Sequence, residues 1–208
     1  NPANGTFTAG IGAAAWKGND ISAIGSIPSA LKIVTASTFF QTPPSGSFGY
    51  SSGVYKGNQS LILLASGTTD NSNSVSMDFF LDFTGVNAGN LSFDWTSLNN
   101  STGNRNGSLR VYASVDGTTF TEIAGAQVLN FTNNLATGGS IVNVALPSTF
   151  NNSATARLRF YYYNGVGGTS GSRPRLNIDN VKVSAYPTTP CIAPTAQPTN
   201  FSTTIVIN

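Results

Sequence analysis

Histidine is absent, cysteine occurs once, and charged side chains make up only 9% of the 208 residues. Each shortage excludes a class of chemistry. Without histidine there is no Ser-His-Asp or Cys-His catalysis, no histidine-ligated zinc, and no general base of the commonest kind near neutral pH. A lone Cys191 forms neither an internal disulfide nor a multi-thiolate metal site, and its Pro-rich surroundings are no setting for a nucleophile. It reads as a small free residue or as the partner of a cysteine in a longer chain. Ten basic residues against eight acidic ones leave a net charge of +2. The basic ones are scattered from Lys17 to Lys182, so the clustered footprint that phosphate backbones require is missing and nucleic acid is not an expected partner. No apolar run approaches the ~18 residues of a membrane span, and no charged-then-apolar signal segment opens the chain. Membrane insertion is therefore not expected. A chain that opens at Asn1 rather than Met fits an exported protein, processed or cut from something larger, better than a cytosolic one.

What the chain does have is 13 Phe, 7 Tyr, 2 Trp and 22 Gly, with 39% hydrophobic residues. So many aromatics argue against disorder. With so few charges against a typical ~25%, the polar surface must be made of Ser, Thr, Asn and Gly, which is unlike an ordinary cytosolic enzyme. At this length folding hides roughly 70 to 75% of the surface that an unfolded chain exposes, so neither disulfide nor metal is needed to make the fold viable.

Almost every periodic stretch has period two, the signature of a strand with one buried face. In residues 75–83 the odd positions are all apolar while Asp78 and Asp82 face the other way. Leu91, Phe93 and Trp95 repeat the pattern with Asp94 outward. Leu109, Val111, Ala113 and Val115 alternate with Arg110, Tyr112 and Ser114, and Asp116-Gly117 then marks a hairpin turn into residues 120–123. Val142, Val144 and Leu146 read as a short inward-facing strand stopped by Pro147. Ala156, Leu158, Phe160 and Tyr162 form a longer one, with Arg157, Arg159, Tyr161 and Tyr163 on its opposite face. Further on, Leu176 and Ile178 lie on one parity and Val181 and Val183 on the other, so a bulge near Asp179-Asn180 keeps both pairs inside. Residues 31–34 and 61–64 are apolar runs too short for helices and read as buried strands. Residues 13–16 alone hint at a helical turn.

Eight or more short strands with Gly, Asn and Ser turns predict an all-β fold: an antiparallel two-sheet sandwich, jelly-roll-like. Residues 1–186 form this domain. Residues 187–199, with four prolines, are a stiff extended linker. Residues 200–208 carry one further strand, with nothing obvious in the chain for it to pair with.

The stretches LSFDWTSLNNSTGNRNGSLRVYASVDGTTFTEIAG and ARLRFYYYNGVGGTSGSRPRLNIDNVKV resemble the jelly-roll modules of secreted and cell-surface multidomain bacterial proteins, related in shape to cleaved-adhesin, MAM-type and carbohydrate-binding domains. The resemblance covers about residues 75–185. Likewise CIAPTAQPTNFSTTIVIN is similar to the opening of a fibronectin type III module. Together these imply a non-catalytic, exported module of a larger polypeptide, secreted or held at the cell surface, with neighbouring modules or subunits and a glycan or cell-surface ligand as partners. Many such domains hold a structural calcium through acidic residues near the N-terminus. Here only Asp20 stands there, and no cofactor is expected.

Candidate sites follow from the same parity. Tyr112, Tyr161 and Tyr163 share one sheet face with Arg110 and Arg159, and sugars are held by aromatic faces and planar polar groups. Arg105 and Arg173 sit in Gly/Asn/Ser-rich loops, where binding residues are commonly placed. The expected ligand-binding set is thus Tyr112, Arg159, Tyr161, Tyr163, Arg105 and Arg173. The alternative is that outward Tyr and Arg cover a neighbouring domain or a long loop. For a metal, Asp179 beside Asn180 is the best single residue, although such an Asp more often caps a bulge through backbone N–H groups. Residues 70–74 copy only half of a calcium loop and read as a polar turn. Seven Asp and the lone Glu122 leave little for paired-carboxylate catalysis. Asp78, Asp82 and Asp94 face outward like Arg110, Arg157 and Arg159, which fits cross-strand pairing at about 0.2 to 1 kcal/mol per pair better than catalysis. The expectation is a recognition module and not an enzyme. The alternative is a structural spacer or surface-filament subunit assembled through its C-terminal strand.

Overall fold

The computed structural model describes residues 7–8, 15–20, 50, 53–57, 60–65 and 74–188. Twelve strands are described, and every pairing among them is antiparallel. In chain order, β1 is Phe7–Thr8, β2 Ala15–Asp20, β3 Gly53–Lys56, β4 Leu61–Leu64, β5 Val75–Leu81 and β6 Val86–Leu98. The rest are β7 Asn106–Ser114, β8 Thr121–Glu122, β9 Val128–Thr132, β10 Thr137–Ala145, β11 Ala156–Asn164 and β12 Arg175–Pro187. A first sheet runs β1-β2-β5-β11-β7-β8, with β9 also on β7, and a second runs β10-β6-β12-β4-β3. Consecutive strands such as β5, β6 and β7 switch sheets at each connection, which gives the jelly-roll-like sandwich that alternation predicts. Among the described residues no helix is long and apolar enough to cross a membrane.

Alternation builds the core directly. Val75, Met77, Phe79 and Leu81 of β5 and Ala156, Leu158, Phe160 and Tyr162 of β11 face Leu91 and Phe93 of β6 and Leu176 and Ile178 of β12. Phe93 meets Phe160 edge to face across the two sheets with ring centroids 5.2 Å apart, and Phe131 stacks on Tyr162 at 5.6 Å. Each such side chain contributes about 1.5 to 3 kcal/mol by leaving water.

Two turn features follow the sequence closely. The Asp116-Gly117 hairpin forms, with Gly117 at φ +74° and the Asp116 carboxylate accepting the N–H groups of Thr118 and Thr119, both at 2.7 Å. Those bonds hold its pKa well below the ordinary carboxylate range. In β12 the register shifts between Asp179 and Lys182, with Asn180 at φ 49°, so the phase change at Asp179-Asn180 is a bulge.

Three expectations change. Ala15 and Trp16 are not in a helical turn: they lie in β2, with Trp16 opposite Phe79. Val142 does not face inward and is 63% exposed. A second bulge between Ile141 and Val144 causes this, since Asn143 takes φ 55° and donates its N–H to Ser92 Oγ at 2.9 Å. Ile141 and Val144 pack against the core in its place. Finally, β12 continues to Pro187, one residue into the stretch expected to be linker. Residues 31–34, 70–73, 189–199 and 200–208, and Cys191 with them, lie outside the described residues.

Candidate functional site

The tyrosine and arginine face is on the outer side of the first sheet, as parity requires, but it is closed. Arg159 stands opposite Asp78 on β5 and Tyr112 on β7. Its Nε and Nη2 donate to the two Asp78 carboxylate oxygens at 2.6 and 2.7 Å, and its guanidinium carbon lies 4.1 Å from the Phe120 ring centroid. Arg157 adds a longer contact to Asp78 at 3.9 Å. Beside them Arg110 donates Nε to the Tyr163 hydroxyl at 2.8 Å and pairs with Glu122. Tyr161 meets Tyr112 edge to face at 6.2 Å and stacks on Tyr163 at 5.8 Å.

The expectation that these side chains are presented to solvent is therefore corrected. Tyr112, Arg159, Tyr161 and Tyr163 are all buried, Tyr161 to 0% exposure and Arg159 to 1%. Parity assigns a side chain to one side of a sheet and says nothing of what lies over that side. Burial pushes the Tyr112 phenol up to about 12 and raises Tyr161 further, so both are neutral donors throughout the physiological range. The alternative reading is that these residues cover a neighbouring domain or a long loop, and their burial is what such packing requires.

The two loop arginines are placed differently. At one end of the sandwich the loops at 99–105 and 165–174 run side by side. Asn104 Oδ1 accepts the N–H groups of Thr169 and Ser170 at 3.0 and 3.1 Å, and Asn104 N–H donates to the Ser170 carbonyl at 3.0 Å. Ser172 N–H donates to the Thr102 carbonyl at 3.0 Å, and Gly103 bridges Gly171. The approach is so close that a Cβ on Gly171 would stand 2.3 Å from the Thr102 carbonyl oxygen.

Asparagine side chains supply the partners these irregular backbones need. Asn133, at 0% exposure, accepts Asn100 N–H at 2.8 Å and donates to the Ser101 carbonyl at 2.8 Å. Asn100 in turn clasps Tyr50, accepting its N–H and donating to its carbonyl, both at 2.9 Å. The Tyr50 ring meets Tyr55 edge to face with centroids 4.9 Å apart, and the Arg175 guanidinium carbon lies 4.9 Å from its centroid.

Between these parts lies a cleft of about 180 Å³ lined by Tyr50, Asn100, Arg105, Ser172 and Arg173, with Leu64, Ala65 and Gly171 completing it. Arg105 donates Nη2 to the Thr169 carbonyl at 3.5 Å, and Arg173, 3% exposed, donates Nη1 to the Asn106 carbonyl. Of the six expected binding residues, two thus meet in an open cleft and four lie on the closed face. Reasoning from sequence missed Tyr50, Asn100 and Asn133. The Asn-rich loop NNSTGNRN signalled hydrogen-bonded turns, but nothing in it signals a partner 50 residues upstream.

Asp179 serves its bulge: its carboxylate accepts the N–H of Asn180 at 2.7 Å. It stands opposite Asp94, whose own carboxylate accepts Ser140 Oγ–H at 2.5 Å and Asn180 Nδ2–H at 2.8 Å. These bonds hold the Asp94 pKa below its ordinary value. Among the described residues no three Asp, Glu or Cys side chains gather as a metal group would.

The chain is similar to two solved carbohydrate-binding modules. One is a module specific for non-crystalline cellulose, CBM28, at 11% identity over 63% of this chain and 78% of that one, with a TM-score of 0.37. Another is a CBM4 module, at 11% identity over 66% of this chain and 92% of that one, with a TM-score of 0.32. Likenesses this distant say nothing of what this chain binds. No protein-family model and no curated protein matches the sequence.

Proposed function

We propose that this chain is a non-catalytic recognition module of an exported, multidomain protein and that it binds a saccharide in the loop-end cleft. The observation that carries this reading is the meeting of Tyr50, Asn100, Arg105 and Arg173 in one cleft, although they come from three separate parts of the chain. An amphipathic ring, an amide and planar guanidinium groups are what a sugar needs: an apolar surface for its C–H patches and directional partners for its hydroxyls. At about 180 Å³ the cleft is smaller than the roughly 300 to 1,000 Å³ of sites that enclose drug-sized ligands, so it takes one sugar residue of a longer glycan. The asparagine bonds that hold the two loops fix the site before the ligand arrives, which lowers the ordering cost of binding.

Affinity electrophoresis and glycan arrays test this. Retention by a glycan that falls with Tyr50→Ala and Arg105→Ala, and is unchanged by substitution at exposed Val142, supports the reading. Absence of any retained glycan, or retention indifferent to both variants, overturns it.

A second reading, a structural or filament subunit, is favoured by β10. Thr137–Ala145 is an edge of the second sheet, largely exposed, with no charged residue along it. Uncharged edges accept added strands, and the β-branched stretch at 203–207 is suitable chemistry for one. Concentration-dependent association in sedimentation runs that is lost on deleting 200–208 would support this second reading. A monomer at all concentrations would eliminate it.

A further inference from the structure

We propose that residues 203–207 form a further strand that pairs antiparallel with β10 of the same chain and closes the open edge of the second sheet. This goes beyond the saccharide reading and does not depend on it. Among the described strands β10 has one neighbour, β6, and its residues are largely exposed with no charge along them. Sheet edges are usually blunted by lysine, proline, a bulge or a cover. β10 has neither lysine nor proline, and its bulge between Ile141 and Val144 leaves 137–141 as a regular run for a partner. Residues 203–207 match that run in length, and Thr203, Thr204, Ile205, Val206 and Ile207 are all β-branched. Their parity is also right. Phe201, Thr203, Ile205 and Ile207 fall on one side of such a strand, and Ser202, Thr204, Val206 and Asn208 on the other. On the core side of β10, Ile141 and Val144 are only partly buried. Trp95 of β6, also partly buried, lays its ring over Gly139, where a Cβ would stand 3.2 Å from the indole nitrogen. With Ile205 opposite Ile141, antiparallel register puts Ile207 opposite Gly139, and the two isoleucines cover this apolar rim.

The path of the chain favours this occupant over a neighbour's segment. β10 and β12 both pair antiparallel with β6, so they run in the same direction. β12 ends with Pro187 opposite Val86, and β10 ends with Ala145 opposite Asn90, at the same end of the sheet. A chain that turns back from there runs antiparallel to β10, like every described pairing. The position beyond β10 lies three strand spacings from β12, about 14 Å at ~4.8 Å each, and the offset along the strands brings the span to roughly 20 Å. Residues 188–200 reach about 40 Å as an extended Pro-rich arm at ~3.1 Å per residue. A tether that spans its target presents the segment at an effective concentration on the order of mM, about a thousandfold above neighbours in a micromolar solution. Folding back within one chain therefore outcompetes exchange between chains.

Amide hydrogen exchange and NMR of the full chain test this, with sedimentation velocity at micromolar and near-millimolar concentration. In the monomer, paired amides of 203–207 are expected to exchange at least about tenfold more slowly than in a free peptide of residues 200–208. The Ile205 and Ile207 methyl groups should show nuclear Overhauser contacts to the Trp95 indole. Both readouts are made on the unsubstituted chain, so they decide the matter even where a variant fails to fold. Ile205→Asp combined with Ile207→Asp should abolish both signals and leave glycan retention unchanged, since β10 does not line the cleft. Exchange in 203–207 as fast as in the free peptide overturns the proposal. Protection confined to an associated species also overturns it, and supports the filament reading in its place.

Discussion

Arg159 on the outer face of the first sheet and Arg173 at the loop end are both almost wholly buried, and both have tyrosines nearby. Their surroundings differ in one respect. Arg159 finds a carboxylate directly opposite in register and holds it at two points, with Phe120 over the fork. Arg173 donates to the Asn106 carbonyl and lines the loop-end cleft. The first arrangement uses up the guanidinium within the fold. The second places a guanidinium in the lining of a cleft. Residue type and burial are therefore alike in the two regions, and what separates them is that Arg173 lines a cleft.

The comparison predicts very different costs for disturbing each region. The largest belongs to the closed face. Arg159→Met leaves Asp78 buried without its two-point partner and is expected to destabilise the fold by about 3 to 5 kcal/mol. Replacing Asp78 and Arg159 together with apolar residues of similar volume should cost far less. Urea denaturation of the single and double variants measures both. If Arg159→Met leaves stability unchanged but abolishes glycan retention, the roles of the two regions are reversed.

A middle-sized effect is expected at the loop end. Asn133→Ala removes the acceptor for Asn100 N–H and the donor to the Ser101 carbonyl, and an unsatisfied buried backbone group costs about 1 to 3 kcal/mol. Because Asn100 clasps Tyr50, the same variant should also weaken glycan binding, although Asn133 does not line the cleft. A loss of stability with affinity intact would show that the asparagine bonds do not position the site.

The smallest effect is pH dependence. Tyr112 and Tyr161 have folded-state pKa values raised by burial, so the folded state favours their neutral form. Their contribution is complete below the ordinary tyrosine value of about 10 and is lost as pH rises from there through the folded values. Asp116 and Asp94 act in the opposite sense. Their depressed values add stability above about pH 4, and it is lost as pH falls below that. Thermal midpoints should therefore be flat between these limits and drop on both sides. Tyrosinate absorbance rising at pH 10 without unfolding, in full proportion to the tyrosine content, would contradict the burial of the tyrosine face.

These differences also explain what could be read from the residues alone. The inward positions of β5 and β11 were legible because alternation is local. The Asp179-Asn180 bulge was legible because the apolar phase itself changes across it. The bulge at Asn143 was not, since Val142, Val144 and Leu146 keep a regular phase and the bulge depends on a bond to Ser92, 51 residues away. Cross-strand pairing among the outward Asp and Arg residues was anticipated, but neither which Asp meets which Arg nor the burial of the Asp78–Arg159 pair was, because parity is blind to strand order and to what lies over a sheet. At the loop end Arg105 and Arg173 were picked by loop composition. Tyr50 was hidden because only the fold brings it to Asn100.

The proposed recognition takes place at the loop end and not on the tyrosine face. Backbone and side-chain NMR shifts of the labelled chain, followed during titration with an oligosaccharide of whichever glycan the array retains, test this. The account predicts saturable shifts at Tyr50, Asn100, Arg105, Gly171 and Arg173, with Tyr112, Tyr161 and Tyr163 unmoved. Shifts confined to those three tyrosines and Arg159, or no saturable shift anywhere, would contradict it.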